Sequence, residues 1–349
     1  MCRYERSVDM NETVIGVEGL SKSFRIRTQG TGGRGNGETA DGPVGNRRVG
    51  RGRRRKIIET VDAVKEIDFS VERGDILAFI GPNGAGKSTT IKLITGILYP
   101  DTGRVSVLGM DPHKERRRLA YRIGTVFGQK SQLWYHLPPL DSFRLLAGIY
   151  DVPTRKAEER IEELNATFEL DEYLNRPVRK LSLGQRIRCE IAASLIHEPE
   201  ILFLDEPSIG LDVVVKQRIR DLILDVNRRL GTTIFLTSHD AGDIEKICRR
   251  AIVINHGRIA WEGTINEMKY SLLRKRIISV KTDGVVDLEL PGVTVLKKKA
   301  YSAKLEVDTD TISLETVIQE LMRGRSIQDI AISGTPMEEV IAMIYGRGV

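Results

Sequence analysis

The segment Gly81–Thr89 (GPNGAGKST) places glycines, a lysine and a hydroxyl at the spacing G-x-x-x-x-G-K-[ST], a pattern suited to holding phosphate. Gly81, Pro82, Asn83, Gly84, Ala85 and Gly86 form a backbone whose N–H groups can wrap phosphate oxygens. Lys87 can bridge the terminal phosphates, and the hydroxyl of Ser88, followed by Thr89, suits a magnesium ion. Further along, two carboxylates emerge from an apolar run, Asp205 and Glu206 after Ile201–Leu204. Asp205 suits a direct or water-mediated contact to magnesium, and Glu206 suits orienting or deprotonating an attacking water. His239 follows the apolar run Thr233–Leu236 and can contact a γ-phosphate. Gln129 follows the strand-like Ile123–Phe127 and brings an amide near the metal and the water. Singly these mean little, since an Asp-Glu pair before proline is ordinarily a solvated turn and a lone histidine is more often structural. Together they describe magnesium-dependent hydrolysis of a nucleoside triphosphate.

Such chemistry requires the residues to meet at one edge of a sheet. Asp75–Ile80 reads as a short buried strand, and Ser88–Ile97 has apolar residues at helical spacing, so the phosphate loop lies between strand and helix. The runs that deliver Gln129, Asp205, Glu206 and His239 are also of strand length, and open α/β sheets bind ligands at the carboxyl ends of their strands. A second anion site is encoded at Leu181–Gln185 (LSLGQ). It precedes an amphipathic stretch, Arg186–His197, that carries Ile187, Ile191 and Leu195 on one face. Ser182 and Gly184 are thereby expected to cap a helix, whose free N–H groups and positive dipole end attract an anion. One phosphate loop is already present, so this second site needs a phosphate from elsewhere.

In this order the motifs resemble those of the nucleotide-binding subunit of an ABC (ATP-binding cassette) transporter. Gly81–Thr89 is similar to the family's Walker A motif, Ile201–Glu206 to its Walker B motif with the catalytic glutamate, and Gln129 to its Q-loop. Leu181–Gln185 is similar to the signature, Gly210-Leu211-Asp212 to the D-loop, and His239 to the switch histidine. The resemblance covers roughly residues 12–270 and implies an α/β fold, a P-loop NTPase core of ABC ATPase type with a helical subdomain. ATP and Mg2+ are the implied cofactors. By the same resemblance Phe24 would stack on adenine, the alternative being an ordinary strand aromatic. Two copies would pack head to tail, so that the phosphate loop of one and Ser182, Gly184, Gln185 and Asp212 of the other close on one ATP. A homodimer would then hold two complete sites, although a partner of different sequence fits as well. One departure is Leu183, which stands where the family usually has glycine and would be strained if the backbone there had positive φ. The stretch Val126–Leu137 and the form LSLGQR also resemble a subgroup that pairs with separate multi-span permeases, mostly exporters.

Composition sets the wider frame. A chain of 349 residues with 40% hydrophobic and 29% charged content suits one large α/β domain plus a small one. No run approaches the roughly 18 apolar residues of a membrane span, and the N-terminus lacks a signal-peptide apolar core. The expected location is therefore peripheral, on the cytoplasmic face of the membrane through a permease partner. Cys2, Cys189 and Cys248 have no metal-ligand spacing. Of the net charge of +6, Arg47–Lys56 alone contributes seven positive charges, leaving the remainder at −1. That run lies within 28–56, a Gly- and Arg-rich segment expected to be a disordered insertion in contact with anionic lipid or RNA, or simply solvated. A helical subdomain is expected at about 130–196, with helices at Asp141–Tyr150, Thr154–Phe168 and Asp171–Leu174. Trp134, Tyr135 and Leu137 lie where a permease could touch it. A small C-terminal α+β accessory domain is expected over 276–349. The rival reading is a soluble ABC ATPase acting on ribosomes or nucleic acid, supported only by the basic insertion. Nucleic acid is otherwise not an expected partner. A non-hydrolysing switch is disfavoured by Glu206 and His239.

Overall fold

The computed structural model describes residues 12–29, 56–127, 131–238, 240–271, 275–284, 286, 288–323, 326–334 and 336–347. Two antiparallel strands open it, β1 (Thr13–Gln29) and β2 (Lys56–Glu72). Their ladder runs out to Thr28 opposite Ile57 and Gln29 opposite Lys56, so these end residues of the expected insertion are strand. Arg47–Arg55 and the rest of that insertion lie outside the described residues.

The core is a six-stranded sheet. Its strands are β3 (Ile76–Ile80), β5 (Ile123–Phe127), β6 (Ile201–Asp205), β7 (Thr233–Ser238), β8 (Arg250–Asn255) and β9 (Arg258–Thr264), in the order β5-β6-β7-β3-β8-β9. The first five are parallel and β9 is antiparallel to β8. Strands buried on both faces read as continuous apolar runs, and ILAFI and ILFL are such runs. Alternation along β3 decides which layer each side chain joins. Ile76, Ala78 and Ile80 face the helices, while Leu77 and Phe79 face a second, antiparallel sheet. That second sheet is β2-β1-β4, with β4 at Thr102–Val107. Between the two sheets, Phe79 lies 5.4 Å from Phe235, and Phe203 lies 5.6 Å from the same ring. Burying each such ring contributes about 1.5–3 kcal/mol.

The helices on the other face are α3 (Pro139–Ile149), α4 (Thr154–Phe168), α5 (Leu183–Ser194), α6 (Val213–Leu230), α7 (Ala241–Ile247) and α8 (Ile265–Ser271), whereas α1 (Lys87–Ile94) and the short α2 (Arg116–Ala120) join the core between the two sheets through Ile91, Leu93, Ile94 and Leu119. Helices α3, α4 and α5 form the helical subdomain around Phe143, Ile161, Leu164 and Phe168. Asp171–Leu174, expected as helix, is turn. Glu169 takes a left-handed conformation (φ 52°) that ends α4, and Leu174 closes back on the Leu170 carbonyl at 2.8 Å.

A four-stranded antiparallel sheet follows, in the order β11-β12-β10-β13, from β10 (Lys275–Thr282), β11 (Val293–Lys299), β12 (Ser302–Asp308) and β13 (Ile327–Gly334). Helix α9 (Leu314–Met322) covers one face through Val317 and Leu321. The last helix, α10 (Met337–Arg347), does not group with this sheet as the expected 276–349 unit would have it. Its Met337, Val340, Ile341 and Ile344 join the main helical core, and Asn255 Nδ2 donates to the Tyr345 carbonyl at 3.2 Å.

Candidate nucleotide site

The phosphate loop connects β3 to α1. At Gly86 the backbone has φ 112°, and a Cβ there would lie 2.4 Å from the Ala63 carbonyl, so only glycine fits. Gly86 is also the N-cap of α1 and offers no side-chain cap, which leaves the first-turn N–H groups of α1 to an anion. Lys87 is only 6% exposed. Its ammonium donates to the Gly81 carbonyl at 2.7 Å and lies 3.5 Å from the Glu206 carboxylate. A cavity of about 500 Å³ opens over this loop, lined by Pro82, Asn83, Gly84, Gly86, Lys87, Ser88 and Thr89 together with Asp205 and Glu206.

The register of the sheet brings the two halves of the chemistry together. Asp205 pairs with Thr237 across β6 and β7. The Thr237 hydroxyl donates to Asp205 Oδ1 at 2.6 Å, and Ser88 Oγ donates to Oδ2 at 3.0 Å. A hydroxyl beside a carboxylate at a phosphate cradle is a hard-oxygen donor set. It fits magnesium, which takes few protein ligands and completes its shell with water and substrate phosphate. Among the described residues there is no cluster of three or more His, Cys, Asp or Glu that could hold a metal ion. Glu206 sits at φ 53°, a left-handed conformation that costs about 1–3 kcal/mol away from glycine. Its N–H is held by the Thr237 carbonyl and hydroxyl, each at 3.1 Å. The strained peptide turns its carboxylate towards the loop.

Leu181–Gln185 stands apart from this cavity and contributes no lining residue. Ser182 is the N-cap of α5. Its Oγ accepts from Gln185 N–H at 3.2 Å, and Gln185 Oε1 accepts from Ser182 N–H at 2.9 Å, a reciprocal capping box. Gly184 is the second helical residue rather than the cap. A Cβ on it would lie 2.5 Å from Val215 Cγ1, so α5 and α6 approach there at glycine distance. Leu183 occupies the first helical position with no positive φ, and the side chain is tolerated without strain. Asp212 caps α6 by accepting from Val215 N–H at 2.9 Å. Phe24 is on β1 opposite Val61, with Lys22 Nζ 5.8 Å from its ring, and does not line the cavity. Gln129 and His239 lie outside the described residues.

Two polar networks brace the site that the sequence did not announce. Glu190 on α5 accepts from Ser131 Oγ and from Gln132 N–H at 3.1 Å, tying the signature helix to the loop that leaves β5. Burial pushes the Glu190 carboxyl above the ordinary range, and these hydrogen bonds only partly oppose it. Asp243, 1% exposed, accepts from Arg220 Nε at 2.6 Å, from Ser208 Oγ, and from Ser238 Oγ at 3.2 Å. It joins the turn after Glu206 to the end of β7. Asp240, which caps α7, is partly buried, which works against its charge. Hydrogen bonding to Lys216 and the charge of Arg220 outweigh that burial and hold it below the usual carboxylate range. The sequence signal was weak, because every partner lies 20 or more residues away or is a common surface type.

Residues 64–209 match the family model for ABC transporters. The daunorubicin resistance ATP-binding protein DrrA3 of Streptomyces coeruleorubidus is 34% identical over 296 residues, covering 81% of this chain and 91% of that protein. The chain belongs to the ABC transporter ATP-binding family. Another relative of this ABC ATPase is a fluoroquinolone export ATP-binding protein of Mycobacterium tuberculosis, 36% identical over 82% of this chain and 88% of its own. A methionine import ATP-binding protein of Enterococcus faecalis is 35% identical, over 65% of this chain and 68% of its own. In fold, the ABC ATPase is similar to a dimeric ATP-binding cassette solved in a post-hydrolysis state with ADP and phosphate. The TM-score is 0.58 at 23% identity, covering 72% of this chain and 98% of that one. The chain is thus an ATP-hydrolysing enzyme of the P-loop class.

Proposed function

We propose that this ABC ATPase is the peripheral motor subunit of an exporter, acting through a separate membrane permease at the cytoplasmic face. The observation that carries the direction is coverage. The resistance and export relatives match more than four-fifths of this chain, beyond the cassette, whereas the import relative matches 65%. Among the described residues no helix is long and apolar enough to cross a membrane. A permease contact is supported by exposed apolar side chains on the helical subdomain. Tyr135 is 57% exposed and Ile149 54%, and Trp134, Leu137 and Leu145 are exposed with them.

Within the cycle, Lys87 and the α1 N-terminus bind the ATP phosphates, Ser88 and Asp205 would hold magnesium, and Glu206 orients the attacking water. Magnesium, when bound, neutralises charge developing on the phosphates. Gln129 and His239 take the water-positioning and γ-phosphate roles expected from their motifs. The separation of Ser182, Gly184 and Gln185 from the cavity supports a head-to-tail pair, most simply of two identical chains, each offering its α5 N-terminus and Asp212 loop to the other's ATP. Phe24 would meet adenine from β1. Cargo is chosen by the permease.

The test is purification of the Glu206→Gln chain from gently solubilised cells with ATP and magnesium. A stoichiometric multi-span membrane protein is the expected companion. Ribosomes or nucleic acid without such a protein would replace the transport reading with that of a soluble ATPase.

A further inference from the structure

The face of the C-terminal sheet opposite α9 carries a charge pattern unrelated to the nucleotide site. Cross-strand register sorts it into rows. One row runs Lys297, Lys304, Ser279, Ala331 across β11, β12, β10 and β13, and the next runs Lys299, Ser302, Lys281, Asp329. Four lysines, all exposed, thus share two adjacent rows with one acid, Asp329, at the end of its row, while Glu306 and Asp308 lie further along the same face of β12. None of the four ammonium groups has an ion pair or hydrogen bond among the described residues. They line a shallow cavity of about 270 Å³ together with Ser279 and Ser302.

Two features mark this as more than a solvated surface. Lys297 and Lys304 stand directly opposite one another, and like charges at directly opposed positions destabilise a ladder. The placement of Lys297 and Lys299 also depends on a break in the strand. Val293 and Val295 pair with the buried Val307 and Leu305 on the α9 face, so regular alternation would send residues 297 and 299 to that same face. A register shift between Val295 and Lys297 reverses this and turns both lysines to the face that already holds Lys281 and Lys304. A bulge that re-aims side chains is a common device beside binding sites. Here it converges like charges, at a cost that a multivalent anion in the cleft would reverse.

We propose that this cleft is a binding site for a phosphate-bearing anion, held by Lys281, Lys297, Lys299 and Lys304 with the hydroxyls of Ser279 and Ser302 as further donors. The phosphate comes either from a free phosphorylated molecule or from an anionic lipid headgroup. Site-resolved lysine acetylation of the full chain, read by mass spectrometry, tests this without interference from the nucleotide loop or from Arg47–Lys56. The probes are inorganic pyrophosphate, phosphatidylglycerol vesicles and phosphatidylcholine vesicles. With a probe at roughly four times its dissociation constant, labelling of the four lysines should fall about fivefold, while the exposed Lys114 is unaffected. Protection by pyrophosphate assigns a free ligand, and protection by phosphatidylglycerol vesicles alone assigns a headgroup. The Lys297→Gln/Lys304→Gln variant should remain folded, with an unchanged or raised Tm, and lose protection at Lys281 and Lys299. No protection by any probe, or protection at Lys281 and Lys299 that survives in the double variant, overturns the site.

Discussion

Thr237 Oγ1 lies 2.6 Å from Asp205 Oδ1 and donates to it, while the same hydroxyl accepts from the Glu206 N–H at 3.1 Å. One buried side chain on β7 therefore holds both the Asp205 carboxylate at the end of β6 and the backbone of Glu206, the next residue. Replacing Thr237 with valine keeps the shape and removes both bonds. ATPase activity is expected to fall about 10–100-fold, mainly through weaker magnesium dependence. Thr237→Ser should restore most of it. A magnesium titration of turnover in the two variants checks this, and full activity in the valine variant with loss confined to the serine variant would assign Thr237 to packing alone.

Lys87→Ala should abolish detectable turnover, because it removes the ammonium that reaches both the Gly81 carbonyl and Glu206. Glu206→Gln should behave differently, retaining ATP affinity while losing hydrolysis by at least about 100-fold, as expected when a general base is removed. Equilibrium ATP binding measured beside steady-state turnover separates the two outcomes.

Gly184 meets Val215 at a distance that leaves no room for a methyl group. Gly184→Ala should destabilise the chain by about 1–3 kcal/mol through overpacking and lower ATPase activity by tilting the α5 N-terminus. Val215→Ala in the same chain should recover much of both losses. Thermal melts and turnover of the single and double variants measure the coupling, and simple additivity would refute the contact.

Burial of Glu190 raises its carboxyl pKa, with Ser131 and Gln132 pulling partly back. A carboxyl that holds its proton more tightly when folded contributes stability fully present below its unfolded value of about 4.3. That contribution is lost as pH rises through the raised folded value. Glu190→Gln removes the titration, so its Tm relative to wild type should climb as pH rises from the unfolded value through the raised folded one. A difference independent of pH would disprove the assignment.

Burial also pushes the Cys189 thiol up to about 12 and the Cys248 thiol upward. Neither should react with iodoacetamide in the native chain at about pH 8, since the thiolate is the reacting form. Both should label after denaturation, as peptide mass spectrometry would show. Rapid native labelling of either would mean that α5 or α7 opens.

Much of the site is legible in the sequence because its chemistry is local. The loop Gly81–Thr89 and the pair Asp205-Glu206 each sit on a few consecutive residues, bounded by apolar runs whose length dictates strand. The capping box of Ser182 and Gln185 is equally short-range, although it places Gly184 inside the helix. The bonds between Glu190 and Ser131 and between Asp243 and Ser208 are not legible, because they join residues 59 and 35 positions apart. Nor does any local pattern show that the apolar face of α10 docks on the main core, since a helix face names no acceptor. The turn at Asp171–Leu174 defeated periodicity because four residues are too few to carry one.

Helix α10 has one more implication, for the timing of folding. Val340 and Ile344 fill the main core beside α7 and α8, yet more than sixty residues of the four-stranded sheet are synthesised between α8 and α10. On the ribosome the ATPase core must wait, with an apolar groove open to chaperones and to other nascent chains, until residues 337–344 have left the exit tunnel. A stop codon anywhere in the C-terminal sheet would thus leave the apolar surface that α10 covers beside α7 and α8 without its partner.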